Sequence, residues 1–146
     1  MFETECAVSD GADEIDMVVN LGLIKEGKYG EQEEEIRRIK AAAGKHILKV
    51  ILEICMLTDE EIVKACACAE RAGADFVKTS TGFAGGGATF HAVELMKKTV
   101  GDRLRVKAAG GIRSLEDAAH FLELGADRLG TSRVIKIVKA KEQPEA

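Results

Sequence analysis

The chain is 146 residues long, 46% apolar and 32% charged, with a formal net charge of −4. That length and balance describe one globular domain with a real core and exclude a disordered chain. The absence of a basic run, with aromatics at 4% and no Trp, argues against a nucleic-acid surface.

The first predicted helix is under way at Met1 and ends near Asp10. Its acidic opening, Phe2-Glu3-Thr4-Glu5, has no positive region of a signal peptide. No apolar run reaches membrane-span length, so no membrane partner and a cytoplasmic location are expected. A strand-like run follows from Glu14 to Asn20, then a helix over roughly Gly30 to Ala43, with Ile36 and Ile39 facing inward. A second strand runs from Ile47 to Glu53. Thr58-Asp59-Glu60-Glu61 is a capping box opening a third helix, whose apolar face is Ile62, Val63, Cys66 and Ala69. The third strand is Phe76 to Thr81, followed by a helix from Thr89 carrying Val93, Leu95 and Met96. The fourth strand is Leu104 to Ala109; its helix starts at Ser114, with Leu115, Ala118, Phe121 and Leu122 inward. The fifth strand, Arg128 to Thr131, leads into a helix over 132–140. Residues 1–140 form the predicted domain, and 141–146 a polar, mobile tail.

Gly11, Gly44, Gly73, Gly101 and Gly125 close successive helical patterns, and three of these joints read Gly-Ala-Asp. Glycine suits the left-handed residue that ends a helix. A strand and a helix repeating at this length form the βα unit of a parallel sheet. Cys6, Cys55, Cys66 and Cys68 fit no zinc spacing and are expected to be reduced, mostly buried thiols.

Alternate residues of a strand face opposite ways. With Ile15, Met17, Val19, Leu48, Val50, Leu52, Val77, Val106 and Ala108 toward the helices, Asp16, Lys49, Glu53, Lys78 and Lys107 share the other face. Any one of these reads as solvent-facing or as part of a structural ion pair. Charge at the same parity on four successive strands does not, because parallel strands are normally apolar on both faces. An amine attacks a carbonyl only when unprotonated, and partial desolvation with a neighbouring ammonium favours that form. Lys78 is therefore the candidate Schiff-base nucleophile and Lys107 its electrostatic and proton-transfer partner. Glycine turns follow both lysine strands: Gly82 with Gly85-Gly86-Gly87, and Gly110-Gly111 with Arg113 after it. Gly130-Thr131-Ser132 opens the last helix. A lone Gly-Gly is a plain turn; two turns in successive units beside a helix start suggest a phosphate site.

Glu14-Ile15-Asp16-Met17-Val18-Val19-Asn20, Val77-Lys78-Thr79-Ser80-Thr81-Gly82-Phe83, Val106-Lys107-Ala108-Ala109-Gly110-Gly111-Ile112-Arg113 and Leu129-Gly130-Thr131-Ser132 together resemble the deoxyribose-phosphate aldolase family of class I aldolases. The resemblance implies an α/β fold of the (β/α)8 TIM-barrel type, here a partial barrel of five βα units with the first three strands missing. It implies reversible cleavage of 2-deoxy-D-ribose 5-phosphate to glyceraldehyde 3-phosphate and acetaldehyde, with no metal or other cofactor. It assigns Lys78 as the imine-forming lysine, Lys107 as the second lysine and Asp16 as the aspartate of the proton relay. Thr81, Gly82, Gly110, Gly111, Thr131 and Ser132 match positions around the phosphate. The expected partners are phosphosugar and aldehyde substrates, with homo-oligomers. Phe83-Ala84-Gly85-Gly86-Gly87 and Ser132-Arg133 depart from the family's pattern. Two other readings stay open on the sequence: a non-catalytic fragment associating through open sheet edges, and a phosphosugar isomerase or synthase on the same barrel.

Overall fold

The computed structural model describes residues 1–142. Its five strands are β1 (Glu14–Val18), β2 (Ile47–Ile51), β3 (Phe76–Lys78), β4 (Arg105–Ala109) and β5 (Arg128–Gly130). All pairings are parallel, in the order β1-β2-β3-β4-β5. The helices are α1 (Phe2–Ser9), α2 (Leu21–Lys25), α3 (Tyr29–Ala43), α4 (Asp59–Arg71), α5 (Phe90–Val100), α6 (Leu115–Glu123) and α7 (Arg133–Glu142). This is an α/β fold of five βα units in sequential order, a partial barrel. The last helix runs two residues into the expected tail, and 143–146 lie outside the described residues.

One parity of the strands builds the core. Leu48, Val50, Leu52, Val77, Val106 and Ala108 are buried in one cluster with Ile36, Ile62, Cys66, Val93 and Met96 of the helices. Removing each Leu, Val, Ile or Met side chain from water contributes about 1.5–3 kcal/mol. Phe76 and Ile51 are also buried but stand outside that cluster, on the opposite face. The sheet is strongly curved. In a flat sheet β1 and β5 would lie about 19 Å apart at the usual strand spacing, more than two side chains span. Yet Arg128 Nη1 on β5 is 2.6 Å from Glu14 Oε2 on β1.

The five closing glycines all have positive φ, from 56° to 98°. The Gly-Ala-Asp repeat has a second purpose at two of its joints. Asp75 donates its N–H to the Leu48 carbonyl and accepts the Leu48 N–H on its carboxylate at 2.8 Å. Asp127 brackets Val106 the same way. Each such aspartate pins the start of its strand to the preceding neighbour. The capping box at Thr58 and Glu61 is present, and a second forms at Ser114 and Asp117.

Four expectations need correction. Strands β1, β2, β3 and β5 end one to three residues earlier than expected, and β4 starts one residue later. Helix α2 went unanticipated; Asn20, read as strand, caps it by accepting from Leu23 N at 3.3 Å. Leu115 and Leu122 are exposed rather than inward. The buried stripe of α6 is only Ala118 and Phe121, and Phe90 packs beside it, with ring centroids 4.6 Å from Phe121 and 4.4 Å from His120. Of the thiols, Cys66 and Cys68 are buried but Cys6 and Cys55 are exposed. Burial pushes the Cys66 thiol up to about 12.

The two glycine turns behind the lysine strands touch. A Cβ on Gly87 would lie 2.6 Å from the backbone carbonyl of Gly110. Gly87→Ala is expected to lower stability by about 1–3 kcal/mol through overpacking. Gly30→Ala, in α3 with nothing within 4 Å of the added carbon, is expected to raise it by up to about 1 kcal/mol. Urea denaturation of both variants checks the pair.

Candidate active site

The second parity of the strands meets at one carboxylate. Asp16 accepts from Lys49 Nζ at 2.6 Å and from Lys78 Nζ at 2.8 Å, and Lys107 Nζ lies 3.6 Å from the same Oδ2 that Lys78 contacts. The register explains the meeting: Asp16 stands opposite Lys49, and Lys78 opposite Lys107. The sheet's curvature brings β1 to β3 and β4. Lys49 is the most enclosed, its side chain 4% exposed against 13% for Lys78 and 17% for Lys107. It also bonds Glu14 Oε2 at 2.7 Å, and Glu14 in turn holds Arg128. Four cations thus face two carboxylates, and the surplus positive charge favours a neutral amine or an incoming anion.

The shifts follow from this layout. Burial is the largest single influence on Asp16 and favours its neutral acid. The hydrogen bonds from Lys49 and Lys78, with the fields of Lys78 and Lys107, together outweigh it and hold the carboxyl at about 2. For Glu14 the hydrogen bond from Arg128, then that from Lys49, brings it to about 2. Lys107 moves the other way from a typical surface lysine. Burial lowers it, Asp16 opposes, and the charges on Lys78 and Lys49 lower it further; the net position is below the ordinary lysine value.

The segment after Lys78 is gripped by the end of β2. Leu52 N donates to the Lys78 carbonyl at 2.9 Å, and Ile54 N to that of Thr79 at 3.0 Å. A regular parallel ladder would advance by two residues; here it advances by one. The slip occurs at Glu53, the one non-glycine residue with positive φ (57°) among the described residues. That conformation costs a side-chain-bearing residue about 1–2 kcal/mol. The buried Glu53 carboxylate accepts from Thr81 N at 3.2 and 3.3 Å and from Thr81 Oγ1. Thr79, fully buried, ends β3 by substituting its hydroxyl for backbone: it accepts from Ala109 N and donates to Ala109 O, both at 3.0 Å.

The expected phosphate residues divide. Gly110, Gly111, Thr131 and Ser132 line one hollow of about 290 Å³, with Arg113 and Arg133 at its rim. Thr131 Oγ1 donates to Ile112 O at 2.9 Å and accepts from Val134 N at 3.3 Å, tying the start of α7 to the Gly110 turn. Thr81 and Gly82 do not line this hollow. The Thr81 N–H and hydroxyl are already bonded to a carboxylate, which disfavours a second anion there. Two roomier hollows, about 600 and 560 Å³, flank α1 and α3; one touches Glu14 and Asp16, and neither is lined by a lysine.

Glu14, Arg128 and Thr79 are members of the site that the sequence reading left out. Glu14 stands two residues before Asp16, and so on the same face. Arg128 sits opposite Lys107 in the register. Applying the parity argument to the first residue of β1 and to the fifth strand would have put both on this face, though not in contact.

Asp16 and Glu14 are depressed, so the stability they lend is whole above about pH 4–5 and is lost as pH falls toward 2. Denaturant unfolding between pH 7 and pH 2 is expected to show that loss. Asp16→Asn should be less stable at pH 7 and flatter across the acid window; parallel profiles would contradict the assignment.

Residues 1–137 match the profile of the DeoC/LacD family aldolases. The chain is 61% identical over 139 residues to a deoxyribose-phosphate aldolase of Streptococcus pyogenes serotype M4, covering 95% of this chain and 62% of that one. The chain therefore spans less than two thirds of the length of that curated relative. Among solved structures, a deoxyribose-phosphate aldolase candidate from Coccidioides immitis superposes with a TM-score of 0.92 at 43% identity, covering 97% of this chain and 57% of that one. The tetrameric deoxyribose phosphate aldolase of Aeropyrum pernix superposes with a TM-score of 0.79 at 34% identity, covering 97% and 60%. With 137 of its residues matched and its fold shared with these aldolases, the chain belongs to the DeoC/LacD aldolase family.

Proposed function

We propose that the chain carries the catalytic face of a class I aldolase that reversibly cleaves 2-deoxy-D-ribose 5-phosphate to glyceraldehyde 3-phosphate and acetaldehyde. The observation that carries this reading is the pair of amines, Lys78 and Lys107, on one carboxylate oxygen of Asp16. A phosphosugar isomerase of the same architecture would need a carboxylate acid/base pair instead.

In this reading the neutral Lys78 amine attacks C1 of the open-chain sugar, and loss of water leaves an iminium. The iminium draws electrons from the C2–C3 bond as the C3 hydroxyl gives up its proton, releasing glyceraldehyde 3-phosphate and leaving an enamine. Protonation of the enamine at C2 and hydrolysis free acetaldehyde and Lys78. Lys107 is the better proton carrier. A carboxyl held at about 2 is a weak base, whereas an amine held below the ordinary lysine value gives up its proton more readily than a free lysine. Asp16 then completes the relay by holding both amines in place and balancing their charge. The Gly110–Gly111 turn and the start of α7, with Thr131, Ser132 and the rim arginines, receive the phosphate and fix the distance to Lys78. Thr81 and Gly82 border the path between them. The enzyme works in the cytoplasm, as a homo-oligomer like the tetrameric relative.

Borohydride reduction in the presence of substrate, followed by peptide mass analysis, is expected to label Lys78. Lys78→Ala should abolish labelling and turnover. Lys107→Leu should retain labelling at raised pH while lowering turnover by about 10²–10⁴-fold. Labelling at another lysine in the wild-type protein would overturn the reading.

A further inference from the structure

We propose that Glu53 is a positioning residue for Lys78, fixing the turn after β3 and through it the approach of the amine. The proposal rests on Lys78 being the imine-forming lysine. Three consecutive residues at the end of β2 grip the segment that carries Lys78. Leu52 N holds the Lys78 carbonyl, Ile54 N holds the Thr79 carbonyl, and the Glu53 carboxylate between them holds Thr81 by its N–H and its hydroxyl. The Thr81 hydroxyl in turn accepts from Phe83 N at 3.0 Å. Ser80, inside this segment, is fully buried with its hydroxyl unpartnered. Its side chain therefore gives the turn no anchor, and the Glu53 carboxylate supplies one at Thr81.

Two features separate this from ordinary packing. Glu53 is 3% exposed yet has no cation within 4 Å among the described residues. A buried carboxylate without a counter-charge is retained only where its hydrogen bonds satisfy it, and both oxygens here serve Thr81. Its backbone is also left-handed, a place where glycine would sit without strain. The chain keeps a strained, desolvated carboxylate at the position that controls the register between β2 and the Lys78 segment.

The left-handed backbone makes the test clean, because Glu53→Gly removes the carboxylate while relieving the strain. Thermal midpoint, Thr81 amide exchange and the rate of borohydride-trappable imine formation with acetaldehyde are measured on the full chain. Glu53→Gly is expected to keep its midpoint, to exchange the Thr81 amide faster, and to form imine about tenfold or more slowly. Glu53→Gln, which keeps an acceptor for the Thr81 N–H, should recover most of the rate. Thr81→Val removes the hydroxyl from the other side of the contact and should slow imine formation in the same sense, which guards against misfolding of Glu53→Gly. Wild-type imine rates in folded Glu53→Gly, or in Thr81→Val, would overturn the proposal while leaving Lys78 in its role. A wild-type protein that traps no imine would overturn the role of Lys78 and the proposal with it.

Discussion

One carboxylate, Asp16, is in contact with amines from three different strands, and the architecture is arranged around that contact. Lys49, Lys78 and Lys107 come from β2, β3 and β4, and none of them is more than 17% exposed. Bringing three ammonium groups together at low exposure is unfavourable without a counter-charge, and removing one partner from a buried ion pair typically costs about 3–5 kcal/mol. Asp16 supplies the charge on one side, and the chain from Lys49 through Glu14 to Arg128 extends it across the sheet. That extension forms only because the sheet curves. The same curvature that fits five βα units to a barrel thus sets the surroundings of the lysines.

The remaining imbalance bears on the proposed chemistry. Burial first, and then the charges on Lys78 and Lys49, weaken the hold of Lys107 on its proton against the opposing field of Asp16. In the proposed reaction that amine carries the protons, while the ionised Asp16 anchors it. The hollow at Gly110, Gly111, Thr131 and Ser132, proposed to receive the phosphate, sits at the ends of β4 and β5. The proposed function thus draws on different parts of the same units: turns and a helix start for the phosphate, strand residues for the carbonyl chemistry.

Much of this was legible in the sequence because it depends on local rules. The glycines that close helices, the Thr58 capping box and the alternation along each strand are decided by neighbours a few residues away. Alternation alone placed Asp16, Lys49, Lys78 and Lys107 on one face. What escaped depended on distant geometry. The Glu14–Arg128 bridge joins residues 114 positions apart and requires the curvature of the sheet. Leu115 and Leu122 read as core because α6 was given too broad a stripe; only Ala118 and Phe121 are buried. Thr81 has the residue type of a phosphate ligand, but a buried carboxylate 28 residues away, after the neighbouring strand, accepts its hydrogen bonds. The left-handed Glu53 has no sequence signature, since glycine is the residue that marks such a turn.

The most direct measurement is a ¹⁵N-detected NMR titration of the lysine side-chain nitrogens, with Lys107 assigned by substitution. The account places the Lys107 midpoint below the ordinary lysine value of about 10.4, and lower again in Asp16→Asn, where the one contribution that raises it is gone. A Lys107 midpoint at or above the ordinary value, unmoved by Asp16→Asn, would show that the amines do not share this carboxylate.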